Sequence, residues 1–281
     1  DSGLFERRNP VFSKVPEQRG KVETMGRIAV QIYEIQTPSE AEQMIRIGVD
    51  RVGSVLLSGE DWKNAEIRNT VRAVQAAGAS SSLIPLFSDL DTVLRTIDWY
   101  QPDIIHFCEA LSGPDGVSSK TCASLVELQQ KVKARFPEVL IQRSIPIGET
   151  GHGHRVPTLD LARIFEPVSD QFLTDTVIFT GKGDEKDQPV EGFVGITGIT
   201  CDWIVARKLI ELTRLPVILA GGLSPDNVYE AAVKTRPYGV DSCTRTNATD
   251  DKGQVIRFKK NLEKVRRFVD ETRRAETRVE S

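Results

Sequence analysis

Leu219-Ala220-Gly221-Gly222-Leu223-Ser224-Pro225-Asp226-Asn227 is the stretch that decides the fold. The apolar run that begins at Pro216 predicts a strand, which ends at two glycines, and Ser224 followed by Pro225 is typical of the beginning of a helix. A glycine pair lets the backbone approach a ligand closely, and a helix N-terminus attracts anions. The segment therefore predicts a strand, a turn and a helix. The turn is either a phosphate cradle or a connection in which glycine serves geometry alone.

The same alternation of strand and helix extends from Arg27 to the C-terminus. Thr37-Pro38-Ser39-Glu40 predicts a capped helix, Ser88 is expected to cap the third helix, and the last helix is expected over residues 255–273. Eight strands are predicted, at 27–35, 49–57, 81–87, 103–107, 139–145, 171–174, 216–220 and 239–242. Eight strands that alternate with eight helices predict a single-domain α/β protein, a (β/α)8 TIM barrel over residues 27–281. A doubly wound open sheet is the alternative, but no Gly-x-Gly-x-x-Gly follows the first strand.

Length, charge and cysteine usage exclude several classes of protein. The 281 residues suit one barrel, and residues 1–26, which are polar and without a period, predict an N-terminal extension. The 37 basic and 40 acidic residues are mixed along the chain, which argues against a nucleic-acid partner. No apolar run reaches the roughly 18 residues of a membrane span, and no signal peptide is visible. The four scattered cysteines favour a location in the reducing cytoplasm. The sequence does not predict the oligomeric state.

The strand ends carry the candidate site residues. Barrels of this type place the active site at the C-terminal ends of the strands and a phosphate site in the loops after strands seven and eight. The predicted strands end at or near polar or glycine residues, namely Tyr33, Glu34, His106, Arg143, Asp175, Gly221, Gly222, Thr244 and Arg245. We therefore expect a phosphorylated small molecule as the ligand, with the glycine pair at its phosphate.

Several of these segments resemble phosphoribosylanthranilate isomerase. The glycine turn, followed by Arg236-Pro237-Tyr238-Gly239-Val240-Asp241, is similar to the family's "GGL-N-P-x-N-V" and "RP-x-x-VD" motifs. Leu173-Thr174-Asp175-Thr176 resembles its "LLDT", and Gly195-Ile196-Thr197-Gly198-Ile199-Thr200-Cys201-Asp202-Trp203 resembles its "GGTG-x-x-FDW". The C-terminal half matches well, and the N-terminal half matches mainly in layout.

This resemblance implies an isomerase of tryptophan biosynthesis that performs an Amadori-type rearrangement of a phosphoribosyl amine. Asp175 falls on the position of the family's general acid, which acts on the sugar ring oxygen. Gly221, Gly222, Thr244 and Arg245 are expected to hold the phosphate, and His106 and Arg143 are expected to contact the substrate. No cofactor is expected.

Three departures from the family motifs predict a change of substrate or activity. Val30-Gln31-Ile32-Tyr33-Glu34-Ile35-Gln36-Thr37 lies where the family has "VKICGIT", so Tyr33 replaces the cysteine that serves as general base. Cys243-Thr244-Arg245 replaces the phosphate-binding "SSG", and the basic "S-x-R" segment after the second strand has no clear match. Tyr33 or Glu34 is expected to act as the base, and Cys108 and Glu109 remain open.

Two alternatives stay open. His106, His152 and His154 could hold Zn²⁺ or another divalent metal in a lyase or hydrolase, since imidazole is a common ligand of these ions. The loss of the cysteine also allows a non-catalytic barrel that binds a phosphorylated metabolite. The long loop over residues 176–202 is either a substrate lid over Asp175 or a simple insertion.

Overall fold

Eight parallel strands close into a barrel. The structure is a computed structural model that describes residues 27–113, 116–117, 119–179, 193 and 197–279. The strands are β1 (Ala29–Ile32), β2 (Arg51–Leu56), β3 (Ser80–Pro85), β4 (Ile104–Phe107), β5 (Leu140–Gly148), β6 (Gln171–Val177), β7 (Val217–Leu219) and β8 (Gly239–Ser242). Each strand pairs in parallel with its neighbours in chain order, and β1 pairs with β8 to complete the ring. The predicted (β/α)8 barrel is confirmed.

Eight helices surround the strands. They are α1 (Pro38–Ile47), α2 (Ala65–Ala76), α3 (Leu90–Tyr100), α4 (Ser119–Arg135), α5 (Thr158–Phe165), α6 (Trp203–Leu212), α7 (Val228–Thr235) and α8 (Leu262–Val279). Thr37 caps α1 as predicted, and Asp202 caps α6. Their side-chain oxygens accept hydrogen bonds from free N–H groups of the first turn. None of the helices in the described ranges has the length and apolar composition that crossing a membrane requires.

Successive strand residues point alternately into the barrel and toward the helices, which produces two layers of core. Val30, Ile32 and Val240 face outward and pack with Met44 and Phe268 of the helices. The inward positions hold an apolar group that includes Tyr33, Ile84, Leu173 and Ile218.

Polar side chains are also buried inside the barrel. Arg51 donates a hydrogen bond to Gln171 (2.7 Å), Gln171 donates to Gln142 (2.8 Å), and Gln142 donates to the hydroxyl of Tyr33 (3.1 Å). Buried polar groups are costly unless they find partners, and this chain of bonds supplies them. The interior of the barrel is therefore filled with side chains, and they form the bottom of the opening at the C-terminal ends of the strands.

The C-terminal region differs from its prediction. The helix expected over 255–273 begins only at Leu262, and Val255–Lys260 is a strand that pairs antiparallel with Asn247–Thr249. We call this two-stranded element the C-terminal hairpin. The expectation of one continuous helix was wrong because the hairpin forms through pairing with a segment on the far side of a turn, which local periodicity does not report.

Three helix and strand ends also differ. Asp89, and not Ser88, caps α3, and the Ser88 hydroxyl donates instead to Glu109 (2.9 Å). The Ser224 hydroxyl accepts a hydrogen bond from Asp226 N–H at 3.2 Å, but the α-helix proper begins at Val228 after one turn. Strand β6 extends to Val177, so Asp175 lies within the strand.

Two expectations fall on parts of the chain that are not described. The N-terminal extension over residues 1–26 lies outside the described residues, as does most of the loop expected to act as a lid, including Lys182 to Asp187.

Candidate functional site

A cavity opens at the C-terminal ends of the barrel strands. Seven of the eight strands, or the segments directly after them, contribute to its wall, as parallel strand ends in a closed barrel do. The polar, titratable and glycine residues in its wall include Tyr33, Glu34, His106, Cys108, Asp175, Gly221, Gly222, Asp241, Cys243, Thr244 and Arg245. Eight of the nine site residues predicted from the sequence therefore line one cavity.

Two buried aspartates lie in this cavity. Asp175 is 9% exposed, and its Oδ1 accepts a hydrogen bond from the N–H of Thr176 (2.9 Å). Asp241 is 7% exposed, and its Oδ1 accepts from the Gln31 amide (3.1 Å). Burial raises the pKa of each carboxyl group to about 7, because a desolvated carboxylate is disfavoured. Near neutral pH either group can give or take a proton.

The glycine turn is built for close approach of the backbone. Gly221 has φ 95° and Gly222 has φ 63°, in the left-handed region that side chains disfavour. A Cβ at Gly221 would lie 2.3 Å from Thr176 Oγ1, and one at Gly222 would lie 2.5 Å from the Ile199 carbonyl carbon. Within the described residues, neither glycine N–H donates to an acceptor. The turn therefore presents free donors to the cavity, as an anion cradle does.

Thr244 and Arg245 lie beside this turn. They belong to a short 3-10 helix, Thr244–Thr246, that follows β8. The Arg245 Nε donates to the carbonyl of Gly198 (2.9 Å), and the residue is exposed at the mouth. A guanidinium has five donors, so the remaining ones are available to an anion. The four residues predicted to bind phosphate thus lie together at the ends of β7 and β8.

Tyr33 and His106 are locked into the barrel floor. The Tyr33 hydroxyl contacts Ser82 Oγ (2.6 Å) and His106 Nδ1 (2.8 Å), and His106 Nε2 contacts Ser144 Oγ (2.9 Å). Burial, with the nearby Asp241 carboxylate, raises the pKa of Tyr33 well above its ordinary value of 10. Burial and the Arg143 charge lower the pKa of His106 to about 3. Both rings are neutral at pH 7, and their polar atoms are already bound.

Glu34 is fully buried at the end of β1 and belongs to an ionic cluster with the C-terminal hairpin. Its carboxylate forms an ion pair with Arg257 and accepts a hydrogen bond from Asn247 Nδ2 (2.8 Å). Burial raises its pKa, but the charges of Lys260 and Arg257 and these hydrogen bonds outweigh burial, so the pKa is lowered overall.

Glu34 also has φ 65°, in the left-handed region where the family motif quoted above has glycine. The cluster with the hairpin therefore holds this residue in a conformation that a glutamate disfavours.

Arg143 does not line the cavity, so its position does not support the expected contact with the substrate. It lies on an outward position of β5, fully buried, where its guanidinium forms an ion pair with Glu109 and lies 4.9 Å from the centre of the Phe165 ring. Its Nη2 also donates to the Glu109 carbonyl (2.7 Å). The pair satisfies the buried charge, so Arg143 holds β4 and β5 together.

The three histidines do not assemble into a metal site. In the described part of the chain, no group of three or more His, Cys, Asp or Glu side chains could hold an ion together. Both ring nitrogens of His106 are engaged inside the barrel, whereas His152 lies near Phe179 in the segment after β5, with ring centres 6.4 Å apart. These positions give the metal-dependent alternative no geometric support.

Asp241 is the cavity residue that sequence reasoning missed. It stands in the "RP-x-x-VD" match, which was used only for the resemblance. Strand alternation contains the signal, because Val240 is apolar and faces the helices, so its neighbour faces the barrel. Cys108 and Cys243 also line the cavity, and all four cysteines are free.

The closed barrel and its cavity define a (β/α)8-barrel protein with a ligand site at the C-terminal end of the strands. A sequence model of the family described as N-(5′-phosphoribosyl)anthranilate (PRA) isomerase matches residues 152–271. The curated N-(5′-phosphoribosyl)anthranilate isomerase of Methanopyrus kandleri is 31% identical over 217 residues, which cover 76% of this chain and 88% of that protein. The chain belongs to the N-(5′-phosphoribosyl)anthranilate isomerase family.

Other relatives cover different shares of the chain. The enzyme of that name from Methanocella arvoryzae is 39% identical over 142 residues. The match covers 50% of this chain and 54% of that enzyme, so this chain spans only about half of the relative's length. The crystal structure of phosphoribosyl anthranilate isomerase from Thermotoga maritima superimposes with a TM-score of 0.60 over 88% of this chain and 98% of that one, at 19% identity. That likeness supports the fold.

Proposed function

We propose that this protein isomerises N-(5′-phosphoribosyl)anthranilate, or a closely related phosphoribosyl amine, by an Amadori-type rearrangement. One observation carries the proposal: the buried, protonatable carboxyl group of Asp175 lies in the same cavity as the glycine turn and Arg245. An acid for the sugar ring and a cradle for its phosphate are the two features that this substrate class needs. The family membership supplies the identity of the substrate.

Phosphate binding is the first step of the proposal. The N–H groups of Gly221 and Gly222, the hydroxyl of Thr244 and the guanidinium of Arg245 would hold the phosphate, because charge-assisted hydrogen bonds to phosphate are strong. Arg245 here replaces the last glycine of the family's "SSG" motif. A phosphate fixed at β7 and β8 places the attached sugar over the barrel mouth, where Asp175 lies.

Ring opening is the second step. Asp175 with a pKa of about 7 holds its proton in a large fraction of molecules at neutral pH, so it can donate that proton to the ring oxygen. The C1–oxygen bond then breaks as the lone pair of the amine nitrogen forms a C1=N bond. Loss of the proton on C2 gives an enolamine, which becomes the ketone.

The balance of this reaction needs no cofactor. C1 is reduced and C2 is oxidised within the same molecule, so only protons move between substrate and protein. We therefore propose an intramolecular oxidoreductase of the aldose–ketose type that works without a cofactor. The four free cysteines, three of them buried, are consistent with the cytoplasmic location that we also propose.

Turnover of N-(5′-phosphoribosyl)anthranilate by the purified full chain tests the proposal. We expect product formation by the wild-type protein, a loss of about 10²–10⁴-fold in kcat for Asp175→Asn, and growth of a tryptophan auxotroph that lacks this step. The variant Asp160→Asn, on the outer surface of α5, is the matched control and should keep wild-type activity. A folded wild-type protein that turns over neither this substrate nor other phosphoribosyl amines would rule out the proposed reaction.

A further inference from the structure

The family motif at the end of β1 has a cysteine as general base, and this chain has Tyr33 there. We propose that Asp241, on β8, is the general base that removes the proton from C2 of the sugar, and that it works together with Asp175 on β6. This inference rests on the proposed isomerisation and assigns a reacting group to the position that the substitution left open.

The position of Asp241 fits a base for the same substrate atom. Gly239–Ser242 pairs directly with Ala29–Ile32, with Asp241 opposite Gln31, so the carboxyl group lies beside the strand that carries the cysteine in the family motif. Its Oδ1 is oriented by the Gln31 amide at 3.1 Å, and its Oδ2 accepts no hydrogen bond from the described residues. One free oxygen that faces the cavity is what proton abstraction requires.

The other titratable groups of the cavity are occupied or in the wrong protonation state. The Tyr33 hydroxyl is bound to Ser82, His106 and Gln142. The Glu34 carboxylate is held by Arg257 and Asn247, and its lowered pKa makes it a weak base. Burial and the Glu109 charge raise the pKa of Cys108 well above 9, and burial also raises the pKa of Cys243, so both thiols keep their protons.

The surroundings of the two aspartates differ in the groups that favour the anion. Asp241 lies in the field of the Lys260 ammonium and accepts the Gln31 hydrogen bond, and both favour its anion. For Asp175, the N–H of Thr176 is the one hydrogen bond from the described residues that opposes the cost of burial. The Asp175 charge adds to the raised pKa of Asp241. Both carboxyl groups have a pKa of about 7, so the form with protonated Asp175 and ionised Asp241 is populated at neutral pH. In that form Asp175 is the acid and Asp241 is the base.

The proton transfers balance over one turnover. Asp175 gives its proton to the ring oxygen as the C1–oxygen bond breaks and C1=N forms. Asp241 takes the proton from C2, the C–H electron pair becomes C1=C2, and the C1=N pair returns to nitrogen. C1 then receives the proton held by Asp241, and the C2 hydroxyl returns a proton to Asp175 as C2=O forms. Both carboxyl groups end in their starting states.

The pH profile of the full-length protein tests this assignment. We expect kcat/KM of the wild type to rise with pH through an ascending limb and then to fall along a descending limb, as the pair titrates. Asp241→Asn should lose about 10²–10⁴-fold in kcat and lose the ascending limb, with KM changed little. Its Asn oxygen can still accept the Gln31 hydrogen bond, so we expect the fold to be kept. The substrate phosphate titrates identically with both proteins and cancels in the comparison.

Two further variants keep the test decisive. Gln31→Leu removes a donor that favours the anion of Asp241, so the ascending limb should move to higher pH while the protein stays active. Asp241→Ala leaves room for a small carboxylate, and added formate should restore at least about tenfold of its activity. Formate should not accelerate the wild type or Asp160→Asn.

Three results would overturn the inference. Asp241→Asn with activity within about threefold of an active wild type would exclude Asp241 as the base and leave the proposed function intact. Loss of activity with an unchanged ascending limb and no response to formate would reduce Asp241 to a structural role. A folded wild type without turnover would remove the proposed function and this inference together.

Discussion

At the scale of single residues, the burial of Asp175 links activity to stability. Its pKa is about 7 in the folded protein and about 3.8 in the unfolded protein. Between these pH values the folded state therefore binds one proton more than the unfolded state. The contribution of this carboxyl group to stability is therefore highest below about pH 4, falls as pH rises toward 7, and stays lower above it. Asp175→Asn cannot ionise, so we expect it to be more stable than the wild type at pH 8, by up to about 4 kcal/mol, although its activity should be much lower.

Urea unfolding of both proteins at pH 4.5 and pH 8 measures this difference. The gain in stability should be largest at pH 8 and fall to roughly 1 kcal/mol at pH 4.5, close to the unfolded pKa of the group. The exposed Asp160→Asn gives the baseline for replacing an aspartate that is not desolvated. An equal effect of Asp175→Asn at the two pH values would contradict a raised pKa of this carboxyl group.

The glycine turn gives a second prediction at this scale. Gly222→Ala places a Cβ at φ 63° and 2.5 Å from backbone, so we expect a loss of about 2–4 kcal/mol in unfolding free energy and weaker phosphate binding. Gly78→Ala is the matched control, because Gly78 has φ 80° with nothing within 4 Å of its Cβ. That variant should lose only the roughly 1–2 kcal/mol of backbone strain. Similar losses in urea unfolding for both variants would show that close approach to Ile199 is unimportant.

Sequence predicted some of these residues and misplaced others for a definite reason. Asp175 and the glycine pair belong to short contiguous motifs, so their positions follow from local pattern. Arg143 and Asp241 depend on which strand residues face the barrel, and a one-residue change of register inverts that direction. Arg143 stands on a strand with further buried polar residues, so hydrophobic alternation did not reveal its orientation. Apolar Val240 beside Asp241 does indicate which way Asp241 points.

At the scale of elements, the C-terminal hairpin acts on the end of β1 through Glu34. Glu34→Gln removes a buried charge next to Arg257 and Lys260, so we expect a loss of about 2–3 kcal/mol at pH 7. The pKa of Glu34 is lowered in the folded protein, so its stabilisation is present above the unfolded value near 4.5 and is lost as pH falls below it. The difference in stability between the wild type and Glu34→Gln should therefore become smaller as pH falls from 7 to 3.

Unfolding in urea at pH 7 and pH 3 checks the role of the hairpin. Glu42→Gln is the control, since Glu42 forms an exposed ion pair with Arg46 on α1. Its substitution should change the unfolding free energy by about 0–0.5 kcal/mol at either pH. A loss for Glu34→Gln that persists unchanged at pH 3 would assign the effect to packing and not to the ion pair.

The C-terminal hairpin is the secondary structure that the sequence alone did not predict. The first helix begins where its capping residues predicted, and the third differs only in which residue caps it, because capping is a local signal. Val255–Lys260 alternates too weakly to separate strand from helix, and its pairing with Asn247–Thr249 and its contact with Glu34 are both tertiary. A buried glutamate at a left-handed position has no counterpart in local propensity, so Glu34 was assigned as a base and not as a partner of the hairpin.

At the scale of the whole molecule, a ligand that binds only the closed barrel must raise its melting temperature by mass action. Inorganic phosphate at 100 times its dissociation constant should stabilise the protein by about 2.7 kcal/mol, which for a barrel of this size is about 5 °C. Arg245→Ala should keep the melting temperature of the free protein, since Arg245 is exposed, but should reduce the phosphate shift at every concentration. Arg163→Ala, an exposed arginine on α5, should shift like the wild type. Among the described residues, Arg245 is the one arginine that lines the cavity, so its loss must weaken phosphate binding at the ends of β7 and β8. A full shift of the melting temperature in Arg245→Ala would therefore mean that phosphate binds somewhere other than beside the glycine turn.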